Sequence, residues 1–210
     1  MIRILCYGDS NTWGFVPGSV HSRFGVNERW TRILQSNLGK NFEIIEEGLC
    51  SRTLCTEDTR PGKEGRNGFL YLKPCMETHD KFDYLVLMLG TNELKHDFNN
   101  SANDIIEMID KYVEFINHFV CEVDNSKPKL VISGGPITNE NTPFARSDDK
   151  FKGSTQKSKD LNTLLEKYCN EKNIPFINND DLDVGNDGIH FTKESHKKLA
   201  EKLTAYFENI

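Results

Sequence analysis

No run of apolar residues in this 210-residue chain approaches the roughly 18 needed to cross a bilayer, so no membrane association is expected. The opening Met1-Ile2-Arg3-Ile4-Leu5 is too short and too strand-like for a secretory leader, which points to a cytoplasmic protein. No C-x-x-C pair occurs. The six cysteines (Cys6, Cys50, Cys55, Cys75, Cys121 and Cys169) are scattered, several among apolar neighbours, and read as free thiols in a reducing compartment. Cys50 and Cys55 find no His or Cys pair at a matching spacing, so no metal is expected. Surplus positive charge is missing too: 26 Lys and Arg face 32 Asp and Glu, a formal net charge of −6. Nucleic-acid binding leans on clustered cations and is therefore excluded as a leading reading. The basic run His196-Lys197-Lys198 reads as the solvated side of a helix. Walker and dinucleotide-type glycine loops are absent, and no cofactor is implied. Repeats, low-complexity segments and linkers are also absent, so the length suits a single domain over residues 1–210.

What the chain does contain is an alternation of apolar runs and helical periodicities. Strands are predicted at 2–7, 42–46, 84–89, 129–133 and 175–177. Helices are predicted at 28–38, closed by Gly39, and at 66–79, 101–122, 155–172 and 192–207. Tyr84-Leu85-Val86-Leu87-Met88-Leu89 is apolar throughout, as in a strand covered on both faces. Strands alternating with helices predict an α/β fold, a parallel sheet with helices on both sides. Such a sheet binds ligands at the carboxyl ends of its strands. Residues 139–153 are the longest predicted loop.

Four segments fall at those strand ends. Gly8-Asp9-Ser10 leaves the first strand, Glu46-Glu47-Gly48 the second and Gly90-Thr91-Asn92-Glu93 the third, while Asp187-Gly188-Ile189-His190 opens the last helix. A serine hydroxyl attacks only when a base takes its proton, and histidine is the usual base. A carboxylate that fixes the imidazole tautomer completes the relay. Asp187 and His190 stand three apart, so one turn can aim both at a common point. The oxyanion formed on attack needs donors, and the Ser10 and Gly48 backbone N–H groups with the Asn92 amide are the candidates. Each feature alone is an ordinary turn, cap or loop residue; together they make a nucleophile, a base, an orienting acid and an oxyanion hole.

The same residues resemble the four blocks of the SGNH hydrolases, or GDSL-type esterases, and more closely those of the bacterial arylesterase and acyltransferase branch. Gly8-Asp9-Ser10-Asn11-Thr12-Trp13-Gly14 resembles the first block, Glu46-Glu47-Gly48-Leu49 with Arg52-Thr53 the second, Leu87 to Lys95 the third, and Asp187 to His190 the fourth. The resemblance runs from residue 2 to about 207, in the family's order and spacing. It implies a flavodoxin-like three-layer α/β/α sandwich around a five-stranded parallel sheet. It also implies Ser10 as nucleophile, His190 as base, Asp187 as orienting acid, and Ser10, Gly48 and Asn92 as the oxyanion hole. Three positions depart from the family pattern. Asn11 replaces a leucine, Cys50-Ser51 replaces Asn-Gly or Ser-Gly, and Glu93 replaces an aspartate beside the oxyanion amide.

Asp9, Trp13, Phe15, Phe144 and Phe191 are the expected substrate contacts, with Phe151 close by. Arg52 is expected to pair with an acid or, as a second choice, to meet an anionic substrate group. The expected activity is that of a serine esterase cleaving short-chain acyl or aryl esters of small molecules through an acyl-serine, with transfer to other alcohols left open. A carbohydrate O-deacetylase on the same triad is the alternative, and thioesterase action ranks below it. A non-catalytic binding protein or a flavodoxin-like electron carrier leaves Asp187 and His190 without a purpose. The branch resemblance leaves room for a homo-oligomer.

Overall fold

The computed structural model describes residues 1–210. Its five strands are β1 (Ile2–Gly8), β2 (Phe42–Gly48), β3 (Tyr84–Met88), β4 (Lys129–Ser133) and β5 (Phe176–Ile177). They pair in parallel throughout, in the order β2-β1-β3-β4-β5. The chain thus adds β2 on one side of β1 and the remaining strands on the other. That reversal of direction places the carboxyl ends of β1, β2 and β3 side by side, at the switch point where such sheets carry their sites.

The alternation of side chains along each strand separates two cores. Leu5 and Tyr7 of β1, Leu85 and Leu87 of β3, and Leu130 and Ile132 of β4 face one side. There they meet α3 (Gly68–His79), α4 (Ala102–His118) and α6 (Ser154–Lys172) through Leu72, Ile105, Ile109, Val113, Leu161 and Leu165. Ile4, Cys6, Val86, Met88 and Val131 face the other side, against α2 (Trp30–Leu38) and α7 (Lys193–Phe207). Full burial of a Leu, Ile or Phe side chain contributes roughly 1.5–3 kcal/mol, so these two layers supply most of the drive for folding. Both are closed over the predicted strands, which is why those strands read as continuous apolar runs.

The predicted elements are all present, with shifted ends. The α4 helix stops at His118 instead of continuing to residue 122, because Phe119 turns extended and residues 121–126 close a tight turn back toward β4. Its start is fixed by a capping box between Ser101 and Asp104. Two short helices lie outside the prediction: α1 (Ser10–Trp13) directly after β1, and α5 (Pro143–Arg146) inside the expected loop, begun by Thr142 and Pro143. His196 also departs from expectation. Lys197 is exposed as predicted, but His196 is fully buried beneath Phe24 and Phe191 and accepts a hydrogen bond from the Trp30 N–H at 3.3 Å. Burial, followed by the influence of His190, lowers its pKa to about 3, so it is a neutral core residue. No helix is long and apolar enough to cross a membrane.

Gly48 has a structural reason of its own. A Cβ there would lie 2.2 Å from the Trp13 nitrogen and 2.6 Å from its Cα, so β2 and α1 touch backbone to backbone. Replacing Gly48 with Ala should displace α1 and destabilise the fold by about 1–3 kcal/mol, the usual cost of overpacking against groups that cannot give way. Urea unfolding of Gly48→Ala beside wild type measures this directly, and equal midpoints would contradict the contact.

Candidate active site

Ser10 is the first residue of α1, where the chain leaves the sheet. Asp9 caps that helix by accepting the Asn11 N–H at 2.8 Å, and Gly14 ends it with left-handed backbone (φ 90°). One turn of helix thus holds the serine at the head of β1. Asn11, which stands where the family pattern has leucine, ties this turn to the far end of the sequence. Its Oδ1 accepts the Phe191 N–H at 2.9 Å, its Nδ2 donates to Ile189 O at 3.4 Å, and its own carbonyl accepts the Trp30 indole at 3.1 Å.

Between those two anchors lies His190. Its Nδ1 is 2.8 Å from Asp187 Oδ2 and its Nε2 is 2.9 Å from Ser10 Oγ. With the carboxylate facing Nδ1, the proton of neutral imidazole belongs there, which leaves Nε2 free to accept from the serine. Asp187 is held as firmly as the ring it holds. Its Oδ1 accepts the Ile189 and His190 N–H groups, both at 3.0 Å, and its Oδ2 also accepts the Gly18 N–H at 3.1 Å. Burial alone would raise its pKa, but the hydrogen bond and charge of His190 and the backbone donors outweigh it and bring the value down to about 2. The carboxylate is therefore ionised across the working pH range. Phe15 closes the ring's exposed side, with centroids 4.4 Å apart.

Ser10, His190 and Asn92 open into a cleft of about 250 Å³, lined also by Phe15, Phe144 and Ser51. Asn92 donates one amide proton to Arg52 O at 3.0 Å and keeps a second. Gly48 is elsewhere. Leu49 donates to Gly8 O at 3.1 Å, so the alternation of a parallel ladder turns the Gly48 N–H toward the open edge of β2. Gly48 lines a separate hollow of about 510 Å³ that contains neither Ser10 nor His190. From this turn it is Cys50 and Ser51 that reach the cleft, and the Ser51 N–H, like that of Ser10, has no acceptor within the chain. Ser51 is left-handed (φ 67°), the conformation glycine favours. The departure from Asn-Gly or Ser-Gly at Cys50-Ser51 was the sequence signal that a special backbone position lies there.

The expected substrate contacts divide. Phe15 and Phe144 line the cleft, as does Phe151. Phe191 does not: it is fully buried in the core of α2 and α7, because its N–H is pinned by Asn11 while the neighbouring His190 takes the cleft side. Asp9 is also sealed in, only 1% exposed, and its work is the helix cap. Trp13 stands behind the cleft, stacked on His21 at 5.1 Å, and it is His21 that reaches the opening. Arg52 is buried and pairs with Glu47 at 3.7 Å while its guanidinium donates to Gly8 O at 3.0 Å, joining the first and second strand ends. Sequence reasoning passed over His21, Ser51 and a set of cations at the cleft: Arg60, Lys63, Arg66, Lys95 and Lys150.

Glu93 is completely buried and accepts the Leu54 N–H at 2.5 Å through Oε1, while Oε2 has no partner. Its longer side chain thus still braces the 52–54 turn from the third block. Burial raises its pKa to about 8, against the lowering influence of the Leu54 bond, so it is mostly protonated at neutral pH. Among residues of metal-binding type, Glu47, Cys75 and His79 come within 4.8 Å of one another. Glu47 lines the edge hollow, away from Ser10, and is already occupied by His79 at 2.7 Å and by Arg52.

A parallel α/β/α sheet whose first strand ends in a serine bonded to a His–Asp pair defines a serine hydrolase of the flavodoxin-like type. The profile of the GDSL-like lipase/acylhydrolase family matches residues 6–198, and the chain belongs to that family. Solved structures agree. An aryl esterase of M. smegmatis is 33% identical, with a TM-score of 0.90 over 100% of this chain and 99% of that one. A carbohydrate acetylesterase from Sinorhizobium meliloti is 29% identical, with a TM-score of 0.91 over 100% and 99%. A member of the lipolytic G-D-S-L family from Veillonella parvula shares the fold at 16% identity and a TM-score of 0.70, covering 100% of both chains. No curated protein matches the sequence.

The buried Glu93 yields a pH signature. Its folded pKa of about 8 lies above the ordinary 4.5, so the folded state holds a proton that the unfolded chain has released between those values. The stability it contributes is complete below 4.5 and is lost as pH climbs to 8. Glu93→Gln removes that dependence, so its melting temperature relative to wild type should rise steadily from pH 5 to pH 8; a constant difference would contradict the neutral buried acid.

Proposed function

We propose that Ser10 is the nucleophile of a carboxylic ester hydrolase acting on small, short-chain acyl or aryl esters. The observation that carries this is the unbroken chain of hydrogen bonds from Ser10 Oγ through His190 to Asp187, open to a cleft at one end and fixed by three backbone N–H groups at the other. Ser10 Oγ attacks the ester carbonyl as its proton passes to His190 Nε2, and Asp187 stabilises the imidazolium without taking a proton itself. The tetrahedral oxyanion is received by the Ser10 and Ser51 N–H groups and the second amide proton of Asn92, in place of Gly48. His190 then returns its proton to the departing alcohol, leaving an acyl-serine. Water, activated by the same histidine, releases the acid; an alcohol in its place would give a new ester. The cleft volume of about 250 Å³ favours short acyl groups.

A second reading shares every step and differs only in the alcohol. The likeness to the S. meliloti carbohydrate acetylesterase and the polar lining of the cleft favour an acetylated sugar as substrate. All six cysteines are free, which suits the reducing environment of a cytoplasmic enzyme.

Hydrolysis of p-nitrophenyl acetate, butyrate and octanoate tests the reading. Activity should fall with chain length and vanish in Ser10→Ala. Asn92→Ala should lower kcat by about 10²–10³ with little change in KM, as expected for a donor used mainly in the transition state. Undiminished turnover by Ser10→Ala would overturn the assignment.

A further inference from the structure

The cations around the cleft run against the balance of the chain. Five of them, Arg60, Lys63, Arg66, Lys95 and Lys150, line the same opening as Ser10 and His190, and no carboxylate lines it, although the protein as a whole carries a net charge of −6. Their partners nearby are few. Asp58 takes Arg60 in a two-pronged pair, at 2.7 and 2.5 Å. Arg66 spends two of its donors on the carbonyls of Cys50 and Glu64, which carry no charge to neutralise it. Lys63 and Lys150 make no ion pair at all, and the Lys150 ammonium rests 4.6 Å from the centre of the Phe144 ring.

Lys95 is the most unusual of the five. It is only 5% exposed, yet its Nζ makes no hydrogen bond, and its sole ionic neighbour is the same Asp58 at 3.5 Å. A buried ammonium without a hydrogen-bond partner is costly unless something arrives to satisfy it. Burial and then the charge of Arg60 hold its pKa down to about 8, and Lys150 is lowered by the same two influences in that order. Glu57, Asp58, Asp97 and Asp148 share an adjoining hollow with Arg60, Lys95 and Lys150, but of these only Asp58 comes within ion-pair distance of the cations, and none reaches the opening beside Ser10.

We infer that the ester taken by this site bears a second, ionised group, a carboxylate or a phosphate, which sits among Lys63, Arg66, Lys95 and Lys150 while the ester carbonyl lies at Ser10. The inference rests on the proposed esterase reading and names its substrate class. One small molecule spans both positions, because a cleft of about 250 Å³ holds them together. The Phe144 and Phe151 rings, which line the same wall, would flank the apolar stem between the two groups. Such a site sorts anionic from neutral esters in KM, since the anion is bound equally in the ground and transition states.

Two matched pairs of esters test this. 4-Acetoxybenzoate against methyl 4-acetoxybenzoate puts the charge on the alcohol side, and mono-4-nitrophenyl glutarate against 4-nitrophenyl pentanoate puts it on the acyl side. In at least one pair the anionic member should have a kcat/KM higher by about tenfold or more, mainly through KM. That ratio should shrink toward unity in Lys95→Met and Lys150→Met, and it should fall as sodium chloride is added. The neutral esters report separately on the esterase reading. Should they fail as substrates, calorimetric titration of Ser10→Ala with glutarate and with inorganic phosphate still tests the anion site, and the stronger ligand identifies the group preferred. Ratios at or below one in both pairs, together with no binding of either anion, would overturn the inference.

Discussion

Everything in this structure turns on holding two points of the chain 180 residues apart within hydrogen-bond reach: Ser10 at the end of β1 and His190 before α7. In the proposed reaction a proton moves between them, and it does so only while the distance stays near 2.9 Å, so the fold has to suppress motion at both ends. Asn11 does this by bonding the backbone on both sides of His190, from the position next to Ser10. The gap between serine and histidine is thereby set by two hydrogen bonds of the Asn11 side chain and not by the distant packing of α7 alone. A leucine at this position, as in the family pattern, could make neither bond.

Burial of ionisable groups around the site follows a consistent logic. Asp187 is ionised because three N–H groups and an imidazole face it, and in the proposed reaction its charge supports the imidazolium. Glu93 is fully buried with one donor on Oε1 and none on Oε2, and it stays mostly neutral at pH 7, where it braces a turn without adding a competing charge. Asp9, equally buried, has its pKa raised by desolvation against the Asn11 bond and serves α1 as a cap. Asp187 and Glu93 thus titrate in opposite directions, the first lowered by four hydrogen-bond donors and the second raised by burial with one.

Much of this could be read in the sequence. The strands announced themselves because both faces of the sheet are covered, and the meeting of Ser10, His190 and Asp187 because the last two occupy one turn that returns to the strand-end edge where Ser10 stands. What escaped had physical causes. Gly48 attracted the oxyanion role as the only glycine of its block, but its small size serves the contact with Trp13, and Ser51 adopts the left-handed backbone without being glycine. Phe191 was expected at the mouth of the cleft, but the bond from its N–H to Asn11 and the packing of its ring beneath α2 and α7 hold it in the core. The cation cluster draws on residues between 60 and 150 that only the folded loops bring together. His196 was taken with its lysine neighbours as solvated, though a helix turns one residue in three or four inward.

The proposed acyl-serine chemistry requires that Ser10 form a covalent bond. Wild-type protein treated with phenylmethylsulfonyl fluoride, digested and sequenced by mass spectrometry should carry a single sulfonyl adduct, on the peptide containing Ser10, formed in step with the loss of esterase activity. His190→Ala should label far more slowly at the same residue. An adduct on any other side chain, or activity lost with Ser10 unmodified, would contradict the central claim.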